Sequence, residues 1–221
     1  MVKAIVFDFD GMILESVDIK TRAFCTMFEK YPQHLDKIVR LHLDNGSMSR
    51  FENFQIIYYD YLGLSIGEDE LDRLGKEFSR LVYKHVLECP FVPGAYQFLK
   101  ARCAEGHRLF IASGTPENEL RDIVRGRRLT SFFDGVYGSP RSKSEILRAI
   151  LAENNLPPNE AVSIGDALGD FQSAFDVSIP FIGRVPSGEP DRFPDHGVIA
   201  VVQDLRGLEL EWQSVLERTP S

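Results

Sequence analysis

The sequence predicts a doubly wound α/β protein, a parallel sheet with helices on both faces and an all-helical segment inserted after the first strand. Three observations carry that prediction. Six short, near-continuous apolar runs have the character of parallel strands buried on both faces. Helical periodicity follows the runs in alternation, as βα units require. Between the first run and Arg108 the alternation stops. The stretches FENFQIIYYDYL and LDRLGKEFSRLVYKHVLE there space their apolar residues as helices do.

The first strand is predicted at residues 3–8, KAIVFD. The helical insert occupies residues 15–90, and Pro90 with the Pro93-Gly94 pair marks the return to the core. The core is therefore residues 1–14 and 91–221, with the insert as a second domain. Strands follow at 108–112, 135–137, 161–164, 179–182 and 198–202, and helices at 117–124, 144–154, 168–175 and 205–216. The Pro- and Gly-rich stretch 184–197 reads as a surface loop.

At 221 residues with 43% hydrophobic and 26% charged, the chain can bury a sizeable core and does not have a disordered composition. Asp and Glu outnumber Lys and Arg by 33 to 25, a net charge of -8. An acidic chain repels phosphate backbones and anionic lipid, so neither nucleic acid nor a membrane is an expected partner. The first apolar run is cut by Asp8 and Asp10, too soon for a signal peptide. Cys25, Cys89 and Cys103 are odd in number and form no CxxC. That excludes a disulfide scaffold and a cysteine zinc site and leads us to expect a cytoplasmic protein.

Chemistry concentrates at the strand ends. Asp8 and Asp10 stand two apart, which puts both carboxylates on one side of a strand. In an open α/β sheet ligands bind beyond the carboxyl ends of strands. Like charges placed there need a cation or proton between them; the alternative is a helix cap beside a solvated Asp8. The second strand ends in Ser113-Gly114-Thr115-Pro116. There Thr115 is expected to cap the next helix, and Ser113 with nearby backbone N–H groups could bind an anion. Lys143 precedes a helix, and Gly165-Asp166-Ala167-Leu168-Gly169-Asp170 sets two carboxylates at a strand-to-helix turn. The five histidines show no ligand spacing. The aromatic residues Phe51, Phe54, Tyr58, Tyr59 and Tyr61 are expected in the core of the insert.

Taken together, VFDFDG, IASG, Lys143 and IGDALGD fall in chain order, each at or just past a strand end. In this the sequence resembles the haloacid dehalogenase superfamily, whose helical cap lies between the first and second motifs, where this chain has its insert. The resemblance spans essentially the whole chain and lies toward the phosphoglycolate phosphatase and β-phosphoglucomutase branch. It implies a Rossmann-like core and a Mg²⁺-dependent phosphatase of a small phosphorylated metabolite, acting as a monomer or homodimer. Asp8 would form an aspartyl-phosphate. Asp10 would serve as acid and base. Mg²⁺ would be held by Asp8, the Asp10 backbone carbonyl and Asp166, with Asp170 as a further ligand or orienting group. Ser113, Gly114 and Lys143 would hold phosphoryl oxygens.

This sequence departs from the family pattern at Met12, where threonine is usual, so that a hydroxyl contact to Asp10 is lost. Glu15-Ser16 also departs from the usual Asp-Ser or Asp-Thr, and Lys20 stands where mutase relatives carry histidine. The last departure weighs against a phosphosugar mutase, the main alternative; a non-catalytic phosphometabolite-binding module is another. In the insert, the loop 45–50 resembles a substrate-binding cap loop. Arg50 would fork onto a substrate oxyanion or be an ordinary first residue of a helix capped by Ser49.

Overall fold

Alternate residues of the first strand are buried on opposite faces. In β1 (Ala4–Phe7), Ile5 and Phe7 join one apolar layer and Ala4 and Val6 the other, all at 1% exposure or less. This is the pattern of a strand covered on both sides. The computed structural model describes residues 2–218. β1 pairs in parallel with β2 (Arg108–Pro116) on one side and with β4 (Ala161–Gly165) on the other. With β3 (Gly135–Ser139), β5 (Phe181–Arg184) and β6 (Val198–Val202) the order is β3-β2-β1-β4-β5-β6, all parallel.

One face of the sheet is covered by α5 (Ala95–Ala104), α6 (Glu117–Gly126) and α9 (Leu205–Glu217), through residues such as Phe98, Ile123 and Leu208. The other is covered by α7 (Lys143–Glu153) and α8 (Leu168–Phe175), through Ile146, Leu147 and Phe171. The chain first winds outward from β1 to β3, then crosses back to β4. The switch point therefore lies between β1 and β4, and a crevice opens there beyond the strand ends.

β2 runs four residues beyond its predicted end. After an irregularity its pairing with β3 resumes at Pro116↔Ser139. Thr115 therefore belongs to the strand, and Pro116 is the residue flanking α6, which corrects the expected Thr115 cap.

Between β1 and α5 lie α1 (Val17–Met27), α2 (Leu35–Asp44), α3 (Arg50–Ile56), a π-helical turn (Ile57–Tyr61) and α4 (Glu68–Glu88), with no named strand among the described residues. Phe24, Phe28, Phe54 and Phe78 fill their centre at 2% exposure or less, with Phe24 4.9 Å from Phe78 and 5.7 Å from Phe54. The expected aromatic core is corrected at Tyr59, which is 54% exposed. Tyr59 follows Tyr58 directly and so leaves the face that Phe54, Tyr58 and Tyr61 pack against the core. Leu14 bridges to Phe91, and the Glu15 N–H donates to the Pro90 carbonyl at 3.0 Å, so the two crossings between insert and sheet lie side by side. No helix among the described residues is long and apolar enough to cross a membrane.

Candidate active site

Asp8 leaves β1 with its N–H bonded to the Ile164 carbonyl of β4, and Asp166 leaves β4 beside it. Carboxylate oxygens of Asp8, Asp166 and Asp170 lie within 4.8 Å of one another. Lys143 is the first residue of α7, one earlier than predicted, because Ser142 caps that helix in a box with Glu145. Its Nζ is 2.8 Å from Asp8 and also pairs with Asp170. The other oxygen of Asp170 accepts the N–H groups of Asp166 and Ala167 at 3.2 and 3.0 Å. Both Asp170 oxygens are thus occupied within the protein, which suits an orienting role.

Gly11 has φ +73°, and a Cβ there would stand 2.1 Å from Asp166 Oδ2. A side chain at Gly11 would be strained and would displace a carboxylate of the cluster.

Three carboxylates and one lysine leave this pocket with excess negative charge. Burial raises Asp8 to about 7; Lys143 pulls it down, while Asp170 and Asp10 push it up. Burial, then Asp8 and Asp170, carry Asp166 well above the carboxylate range. Burial acts to lower Lys143, but Asp170 and Asp8 outweigh it and raise the ammonium. An all-oxygen, anionic donor set of this kind fits a hard divalent cation.

The Asp10 side chain faces a different set of groups. Ser16 Oγ donates to its Oδ1 at 2.6 Å, Thr115 Oγ1 donates to Oδ2 at 3.1 Å, and Lys20 Nζ pairs with the same Oδ2. Lys20 also donates to Thr115 Oγ1 at 2.7 Å. Met12 is fully buried in the core, so the hydroxyl it lacks is replaced by Ser16 and Thr115. Burial raises Asp10, but Lys20, Ser16 and Thr115 outweigh it and hold the carboxyl below its ordinary value.

Ser113 is buried, and its Oγ accepts the Thr115 N–H at 3.1 Å, leaving the hydroxyl proton free to donate. Gly114 and Gly169 let the insert approach the rim. A Cβ at Gly114 would lie 2.9 Å from the carbonyls of Ser47 and Met48, and one at Gly169 would lie 1.7 Å from Ser47 Oγ. A cavity of about 750 Å³ remains between insert and sheet, bordered by Asp10, Gly114, Thr115 and Asp166 on one side and by α2 and α3 on the other.

Arg50 reaches the cavity wall, but its fork is engaged. It pairs with Glu119 of α6 through both nitrogens at 3.0 and 2.7 Å, donates to Ser79, and lies over the Phe78 ring. Ser49 caps α3 in a box with Glu52. In this structure Arg50 is the first residue of a helix capped by Ser49 and ties α3 to α6, with its fork taken up by Glu119.

Three residues were not selected from the sequence. Arg184, at the end of β5, donates to the Gly11 carbonyl at 2.5 Å and to both Glu15 oxygens, so it ties the loop after β1. An arginine in a loop-like stretch gives no sequence signal for this. His42 and Asn53 line the cavity from α2 and α3, and their helical spacing offers no ligand pattern.

Burial, assisted by the charge of Lys20, lowers His42 to about 4. Unfolded histidine titrates near ~6.5, so between that value and about 4 the unfolded chain binds the extra proton. This contribution to stability is present above pH 6.5 and is lost as pH falls through the window. In urea titrations at pH 7 and 4.5, His42→Phe is expected to lose less stability than wild type, by up to about 3 kcal/mol. Equal losses in the two proteins would exclude this titration.

Residues 5–184 match the family of haloacid dehalogenase-like hydrolases. A phosphoglycolate phosphatase of Rhodospirillum rubrum is 25% identical over 220 residues, covering 94% of this chain and 90% of that protein. A 5'-nucleotidase of Pseudomonas aeruginosa is 25% identical over 195 residues, covering 81% and 80%. Among solved structures, β-phosphoglucomutase of Clostridium difficile superposes with a TM-score of 0.79 at 17% identity, covering 99% of this chain and 97% of that one. With four motif segments converging on one rim and the match running from β1 to the end of β5, the chain belongs to the haloacid dehalogenase-like hydrolase family.

Proposed function

We propose that the protein is a phosphatase of a small phosphorylated metabolite, working through an aspartyl-phosphate on Asp8, with residues 15–90 as its cap. The observation that carries this reading is the buried Asp8–Lys143–Asp170 array beside Asp166 at the switch point. Asp8 attacks phosphorus as the bond to the leaving oxygen breaks, and Asp10 gives that oxygen its proton. Water then attacks the aspartyl-phosphate, Asp10 takes the proton back, and phosphate and free Asp8 result. Lys20 against Asp10 favours the ionised form that accepts this proton. The acid half of the cycle requires Lys20 to loosen that contact. Lys143, Ser113 and the Gly114 backbone hold the phosphoryl oxygens.

Asp8, the Asp10 carbonyl and Asp166 would hold Mg²⁺, with Asp170 orienting Lys143 and the Asp166 loop. Bound there, the ion would neutralise phosphoryl charge so that one anion can approach another. Purified protein is expected to release phosphate from a panel of esters without a bisphosphate activator, to lose that activity with chelator and to regain it with Mg²⁺. Full activity after exhaustive chelation, with no metal by elemental analysis, would reject the metal. Faster conversion of β-glucose 1-phosphate to the 6-phosphate than hydrolysis of any ester would replace the phosphatase with a mutase.

A further inference from the structure

The lining of the cavity carries a consistent chemistry. Its four cations all face carboxylates: Lys20 faces Asp10, Arg50 faces Glu119, Arg184 faces Glu15, and Arg192 faces Glu189. Arg50 and Glu119 are 4% and 13% exposed, so a second anion there would have to break an ion pair held away from water, and Arg184, itself buried, is bound by both Glu15 oxygens and the Gly11 carbonyl. Arg192 is paired at the more solvated mouth, where a rim charge contributes little.

The groups without partners are acceptors. His42 hydrogen-bonds the Val17 backbone and is neutral at pH 7, so its other nitrogen, Nε2, carries a lone pair. That Nε2 is buried with no partner. Asn53 donates its amide to the Ser49 carbonyl, and its Oδ1 is likewise buried with no partner. Both residues line the cavity, at 9% and 2% exposure. Asp18 and Asp44 complete this side, exposed and in no ion pair among the described residues. Buried acceptors left unpaired are costly, and a donor that reaches them recovers that cost.

We infer that the cavity selects phosphomonoesters whose leaving group is an uncharged polyol, with hydroxyls donating to His42 Nε2 and Asn53 Oδ1, and disfavours esters carrying a second anion. This rests on the phosphatase reading above. It makes His42 and Asn53 specificity-determining residues, and it separates this chain from what its relatives' names suggest, phosphoglycolate among them. A site built to pair with substrate hydroxyls discriminates strongly against substrates that lack them, because its own polar groups then stay unpaired.

The test compares kcat/KM for glucose 6-phosphate and glycerol 1-phosphate with that for phosphoglycolate, fructose 1,6-bisphosphate and phosphoethanolamine, using para-nitrophenyl phosphate as the reference ester. The polyol monophosphates are expected to lead the second-anion esters by roughly tenfold or more. His42→Phe should reduce the polyol-to-reference ratio by roughly tenfold, and Asn53→Leu should do the same where its melting temperature shows it folded. Glu119→Gln, which weakens the hold on Arg50, should raise phosphoglycolate turnover relative to the reference. Preference for phosphoglycolate or the bisphosphate in wild type would overturn the inference while leaving the phosphatase intact. So would preference for phosphoethanolamine, or an unchanged ratio in folded His42→Phe. No phosphate release from any ester, the reference included, would overturn the phosphatase reading and this inference with it.

Discussion

Asp8→Asn is expected to lower turnover by ~10³-fold or more while leaving the metal-free fold as stable as wild type or more so. Asparagine keeps the shape of the side chain and its place after β1 but removes the nucleophile's charge. The second half of the expectation follows from the electrostatics of the pocket. Asp8 is buried beside Asp166 and Asp170 with one lysine among them, and burial, with Asp170 and Asp10 nearby, raises its carboxyl above the ordinary value, so the folded chain disfavours that charge. Removing it relieves like-charge repulsion and leaves Lys143 paired with Asp170. A site held against its own stability is the usual condition of an active centre. The comparison is made on metal-free protein by thermal melting, where each kcal/mol corresponds to about 2–4 °C at this size. Near-normal turnover in purified Asp8→Asn would reject the nucleophile, and a large drop in melting temperature would show Asp8 to be part of the structural framework.

Much of the fold is legible because its pattern is redundant. Ile5 and Phe7 face one layer and Ala4 and Val6 the other, so β1 reads as a continuous apolar run whichever residue is taken first. α8 begins and ends where its periodicity does, at Leu168 and Phe175. What the local pattern leaves open depends on events outside the local sequence. Thr115 has the composition of a helix cap, but cross-strand pairing at Pro116 extends β2 past it and turns its hydroxyl to Asp10. Arg50 has the composition of a ligand-binding fork, yet its partner, Glu119, lies 69 positions away on α6. Met12 removes a hydroxyl that Ser16 and Thr115 restore from two other segments, and only the folded chain brings these together. Motif spacing identifies groups that act at a strand end. It does not say which neighbours will reach them, and for Asp10 these include Ser16 and Thr115.

Lys143→Met is expected to be the most destabilising single change at the site, lowering turnover by ~10²-fold or more and stability by about 3–5 kcal/mol at pH 7. Lys143 is 7% exposed, and its ammonium touches both Asp8 and Asp170. Methionine fills most of the volume of the lysine stem, so the loss isolates charge from packing. It leaves the buried Asp8 and Asp170 and the half-buried Asp166 without the Lys143 ammonium, and breaking one side of a buried ionic cluster costs far more than the intact cluster contributes. The double variant Lys143→Met with Asp170→Asn separates the two roles. Deleting the facing carboxylate should restore a large part of the lost stability, a coupling of about 1–3 kcal/mol in the double-mutant cycle. It should restore no turnover, because the phosphoryl group would still lack the Lys143 ammonium. Additive effects in the cycle would mean that Lys143 is held mainly by its stem packing. Recovered turnover in the double variant would remove Lys143 from phosphoryl binding and leave it a neutralising residue for Asp8.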